Sequence, residues 1–159
     1  APANAAAMNS AMDNGFATSP MPNTLQIPNT AASSPRDLYN QAFQLLNQSD
    51  YSGAEESFSR FTNSYPNDPL IGNAWYWLGE TFYVRRNYVK AADSFRQGFS
   101  TMEDGPKAGD NLLKLAMSLA ALEKNSEACV VLRQVESNYS SNSTALKGKT
   151  DQELQRLSC

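Results

Sequence analysis

Shifted by 37 residues, most of the chain superposes on itself. The shift brings Ala54, Ala91 and Ala128 into register, followed by Phe58, Phe95 and Leu132 and then Phe61, Gly98 and Val135. Upstream it aligns Leu38, Trp75 and Leu112; Gln41, Leu78 and Leu115; Ala42, Gly79 and Ala116; and Leu45, Phe82 and Leu119. A fixed period of this length restricts the fold to arrays in which each unit buries its apolar face against the next. Two small positions per unit, flanked by large apolar ones, are what a helical hairpin needs: the helices approach most closely where no bulky side chain intervenes.

The local pattern agrees. Ser34-Pro35-Arg36-Asp37 places a capping serine, a proline at the first helical position and an acid at the third, so a helix begins there. From that point the chain reads as helix, broken at residues 48–51, 65–69, 86–88, 103–106, 124–126 and 138–143. The result is seven helices of about 12 to 16 residues with no strand-like alternation. Residues 1–34 differ: they contain nine Ala, five Asn, four Pro and four Ser, a single charge at Asp13, and no periodic apolar set. Too little apolar surface is available there to offset ordering entropy, and a disordered linker is expected.

The repeat resembles the tetratricopeptide repeat. The second unit carries that pattern best, as Trp75, Leu78-Gly79, Phe82, Ala91 and Phe95; the first ends in Pro66 where the family has proline. The third is degenerate, with Ala116 for the glycine and Ser140 for the proline. The expected fold is therefore all-α: three tetratricopeptide-like hairpins (35–71, 72–108 and 109–142) closed by a capping helix over 143–158, an α-solenoid. Ala145, Leu146, Leu154 and Leu157 supply the apolar side of that last helix.

Composition removes several functions. Without a histidine the chain has no imidazole for nucleophile activation, general-base work or zinc ligation. A conventional enzyme and a cofactor are not expected; a carboxylate pair of Glu80 and Asp110 is the residual catalytic reading. A net charge of -3 without a basic block excludes a phosphate-backbone footprint, so no nucleic acid is expected. The most apolar stretch, residues 112–122, is interrupted by Lys114 and Ser118 and falls short of the ~20 residues of a membrane span.

The 37-residue period, Tyr65-Pro66 and Tyr139-Ser140 closing the second helices, and the run from Asn73 to Glu80 narrow the resemblance. Residues 35 to about 158 are similar to the C-terminal repeat domain of the YbgF (CpoB) family, the cell division coordinators of the bacterial Tol-Pal envelope system. In that family a secretion signal and a short trimerising coiled coil precede a low-complexity linker and the repeats. The chain begins at Ala1, as expected of a processed or truncated product: a monomer as it stands, trimeric at full length. The resemblance implies a periplasmic adaptor that binds TolA and helps couple outer-membrane constriction to the septal peptidoglycan synthase machinery. An outer-membrane protein assembly scaffold that reads unfolded or targeting peptides is the alternative.

In such repeats the first helices line the concave face through positions that correspond here to Arg36, Tyr39, Phe43 and Leu46; Asn73, Tyr76, Glu80 and Tyr83; and Asp110, Leu113, Met117 and Ala120. The candidate groove is thus Arg36, Tyr39, Phe43, Asn73, Tyr76, Glu80, Tyr83, Leu113 and Met117, aromatic and mildly polar. Some relatives clamp a peptide carboxylate at five positions, occupied here by Tyr39, Phe43, Trp77, Asp110 and Lys114; only Lys114 suits that task. Arg85, Arg86 and Lys90 read as a solvated basic turn.

Two cysteines remain. If the last helix folds back antiparallel about the turn near Asn142, Cys129 and Cys159 come close enough to bridge. The bridge would close a loop worth ~3 to 4 kcal/mol in the chain-entropy model and would imply an oxidising compartment. Otherwise Cys129 is a small buried residue and Cys159 a free terminal thiol.

Overall fold

A computed structural model describes residues 34–159; the linker expected over residues 1–34 lies almost wholly outside them. Seven α-helices follow one another: α1 Pro35–Asn47, α2 Tyr51–Ser64, α3 Ile71–Val84, α4 Tyr88–Thr101, α5 Ala108–Ala121, α6 Asn125–Asn138 and α7 Thr144–Arg156. A single 3-10 turn, Ser140–Asn142, precedes α7, and the described residues include no strand.

Local signals start α1, α2 and α4 and end the first helix of each hairpin. The Ser34 hydroxyl accepts from the Asp37 N–H at 3.1 Å while the Asp37 carboxylate accepts from the Ser34 N–H at 3.2 Å, a reciprocal capping box. Asp50 and Asn87 cap α2 and α4 by accepting from Gly53 N–H (3.0 Å) and Lys90 N–H (3.3 Å). The turn inside every hairpin is the same. Ser49, Arg86 and Glu123 each take a φ of 62°, and the following N–H reaches back to Leu45, Phe82 and Leu119 carbonyls at 2.9 to 3.0 Å. This left-handed closure satisfies the last carbonyls of the first helix.

Packing follows the repeat. Ala42, Ala54, Ala91, Ala116 and Ala128 are fully buried, as are Phe58, Phe61, Phe95, Leu132 and Val135. The α3–α4 approach depends on Gly79: a Cβ there would lie 2.5 Å from Cε1 of Phe95. Asn111, fully buried on α5, donates to the Gly72 carbonyl of α3 at 3.4 Å and fills the space left by Gly98 of α4, where a Cβ would stand 2.6 Å from Asn111 Oδ1. One apolar cluster joins the first two hairpins and a second joins α5, α6 and α7.

Successive first helices touch one another, α1 with α3, α3 with α5 and α5 with α7, whereas α2, α4 and α6 hardly meet. The array therefore curves with its first helices inside. In the last helix Leu146, Thr150 and Leu154 are buried and Leu157 is half-buried. Ala145, expected on the apolar side, is exposed: it sits in the first turn, and the buried set instead runs through Thr150, spaced four residues from each leucine.

Candidate partner-binding groove

The inner face is built from aromatic residues at helical spacing. On α1, Tyr39 stacks along Phe43 with centroids 6.5 Å apart and sets its ring edge-on against Phe58 and Phe61 of α2, both at 5.9 Å. Phe43 meets Trp77 of α3 at 5.0 Å, Trp77 meets Tyr76 at 4.9 Å, and Tyr76 reaches Phe95 of α4 at 5.8 Å. The rings form one continuous ladder across two hairpins, in the edge-to-face and offset geometries that the aromatic quadrupole favours. Further along α3, Tyr83 packs against Tyr88 at 5.2 Å. All of these inner rings are half-buried.

Lysines from the third hairpin lie over the ladder. Lys107 Nζ stands 4.6 Å from the Tyr76 centroid and 5.6 Å from that of Trp77. Lys114 Nζ stands 4.8 Å from the Tyr83 ring and 2.8 Å from Glu80 Oε1. This ion pair is mostly sheltered, with side chains 20% and 18% exposed, so it is screened less than an ion pair in open solvent. Asp110 faces Lys107 at 3.7 Å. The two carboxylates considered as a catalytic pair are thus each held by a lysine. Burial, then the charges of Glu80 and Asp110, holds the Tyr76 hydroxyl well above the ordinary tyrosine range. Tyr83 is raised too, by burial first and then by Tyr88, Glu153 and Glu80, with Arg156 opposing.

At the far end the groove deepens into a depression of about 310 Å³ lined by Tyr76, Asp110, Leu113, Lys114 and Met117 together with Lys149, Gln152 and Glu153 of α7. A larger concavity, about 890 Å³, lies among the splayed second helices over Trp75, Leu115 and Leu119, away from the aromatic ladder.

Of the residues expected to line the groove, Tyr39, Phe43, Tyr76, Glu80 and Tyr83 form the connected set just described. Asn73 and Met117 are half-buried on the same helices, and Arg36 is exposed in the first turn of α1. Leu113 differs. It is 3% exposed and packs with Leu146 and Leu154 in the second core, because α7 covers this part of α5. It is floor to the depression and not a side chain that reaches into it. Trp77, Lys107 and the α7 residues were not among the expected groove positions; Trp77 lies one residue beyond the inner-face row, and a lysine's long stem hides its reach from sequence spacing.

Arg85 pairs with Glu55 and lies 5.6 Å over the Phe82 ring, with Lys90 on the same ring at 5.2 Å, so this turn is partly held in place and not wholly solvated. The Cys129 and Cys159 sulfurs are at bonding distance, their Cα atoms 5.6 Å apart, and Arg133 Nη2 donates to the Cys159 carbonyl at 3.1 Å. Among the described residues no group of three or more Cys, Asp or Glu could hold a metal ion, and no helix is long and apolar enough to cross a membrane.

These hairpins and their shared turn form an all-α array of tetratricopeptide-like fold. The family profile described as tetratricopeptide repeat matches residues 38–68 and 110–142, the first and third hairpins. The solved TPR2B domain in the TPR2B-domain:pHsp70 complex of yeast Sti1 superposes with a TM-score of 0.60 over 77% of this chain and 97% of its own, at 12% identity, a likeness of fold. The chain is also 48% identical over 42 residues to two Pseudomonas putida proteins, one from strain KT2440, each described as cell division coordinator CpoB. That stretch spans 26% of this chain and 16% of the relatives' length. Over that stretch the chain resembles CpoB.

Proposed function

We propose that this domain is a non-enzymatic periplasmic adaptor of the Tol-Pal system. It captures a helix or strand of TolA on its inner face and so helps coordinate outer-membrane constriction with septal peptidoglycan synthesis. The observation that carries the reading is the ring ladder from Tyr39 through Phe43 and Trp77 to Tyr76, half-buried and continuous across two hairpins. Rigid aromatic area with a polar edge is what a peptide or helix cradle requires, since it offers contact at low entropic cost. The likeness to CpoB, a cell division coordinator, supports a role in division. Only Lys114 of the five carboxylate-clamp positions suits that task, and here it is engaged by Glu80; recognition is by groove and not by a terminal carboxylate. Bridged Cys129 and Cys159 fit an oxidising compartment.

The test is isothermal titration of the chain into purified periplasmic TolA, repeated with Tyr76→Ala and Tyr83→Ala proteins checked for folding. Loss of about 2 kcal/mol or more in either variant is expected for hot-spot aromatics. Undiminished binding in both moves the site off the inner face. Absence of binding to TolA, with binding to extended C-terminal peptides, would replace this reading by the outer-membrane assembly scaffold.

A further inference from the structure

The last helix repeats the design of a hairpin's first helix. Ser158 takes a φ of 55°, and the Cys159 N–H reaches the Leu154 carbonyl at 2.9 Å, the same closure that ends α1, α3 and α5 at Ser49, Arg86 and Glu123. From Glu123 to Ser158 the step is 35 residues instead of 37, so the inner-face row Phe43, Glu80, Met117 continues at Gln152. The geometry agrees: Gln152, with Lys149 and Glu153, closes the depression whose other walls are Tyr76, Asp110 and Lys114.

The last helix packs on α6 and α5 and buries three residues, Leu146, Thr150 and Leu154, against seven in each of α3 and α5. Gly148 has open space around it. The end of α7 is held by Leu154 and Leu157 in the second core and by its link to α6, the Cys129–Cys159 pair and the Arg133 hydrogen bond to the Cys159 carbonyl.

We infer that α7 is a fourth wall of the partner groove and that the Cys129–Cys159 cross-link positions it, so that partner capture depends on the oxidised pair. The inference rests on the groove reading proposed above. Opening the pair takes a dithiol donor: two hydrogens pass to the protein sulfurs and the donor's own sulfurs join as its disulfide. The freed end of α7 then draws Gln152 and Glu153 away from Tyr76 and Tyr83.

The test compares the oxidised chain, the same chain reduced with dithiothreitol, and the Cys129→Ser/Cys159→Ser protein. In amide hydrogen exchange, residues 149–156 should exchange roughly tenfold faster in the last two while α3 is unchanged. Affinity for periplasmic TolA should fall roughly tenfold in both, and Gln152→Arg in the oxidised chain should weaken binding by a similar factor. Equal exchange in all three proteins overturns the positioning role. Faster exchange with unchanged affinity, or a Gln152→Arg chain that binds normally, overturns the wall. If even the oxidised chain fails to bind TolA, the partner proposed above falls, and the exchange comparison, which needs no partner, still decides the positioning role.

Discussion

The absent side chain at position 79 has a measurable cost if restored. Phe95 is fully buried and cannot retreat from a methyl placed 2.5 Å from its ring, so Gly79→Ala should destabilise the domain by about 1 to 2 kcal/mol in urea denaturation, although alanine is the better helix former. Position 79 was legible in the sequence because its equivalents are Ala42 and Ala116, all small in one register. Tyr76 gives a second residue-scale prediction. Its pKa is raised on folding above the ordinary value of 10.0, so below that value both states are protonated and stability is unaffected. As pH rises above it the unfolded chain loses the proton first, and stability falls. The urea midpoint should therefore fall as pH rises above about 10, and less steeply in Tyr76→Phe. The lysines on the rings were not legible, because Lys107 and Lys114 reach Tyr76 and Tyr83 from a different hairpin.

At the scale of elements, the third hairpin departs from the other two at its cap. Asp50 and Asn87 cap α2 and α4 with their side chains, and the equivalent Lys124 makes no such bond. Lys124→Asn should raise stability by about 1 kcal/mol, seen as a higher thermal midpoint. The Lys124–Glu127 pair it removes is exposed, at 3.7 Å, and worth little. Helix breaks were readable throughout, since each coincides with a polar or proline-bearing turn. The inner-face register was readable only as far as α5. On α5 it fails at Leu113, which α7 covers and packs into the second core.

For the whole molecule, the cross-link ties the last residue to the start of α6 across 30 residues of sequence. Chain entropy assigns such a loop about 3 to 4 kcal/mol, so reduction should lower the thermal midpoint by roughly 10 °C, measured by circular dichroism with and without reductant. The overall architecture was legible because one period organised most of the buried positions from α1 to α6. The closeness of first helices and the splay of second helices were not, since curvature arises from small rotations between units that no single residue encodes.

Successive hairpins are joined chiefly where the second helix of one packs on the first helix of the next, α2 on α3 and α4 on α5, with lighter contact between neighbouring first helices. The helix that closes one hairpin is thus also the seat of the next, and no hairpin can be lifted from the array without uncovering its neighbour.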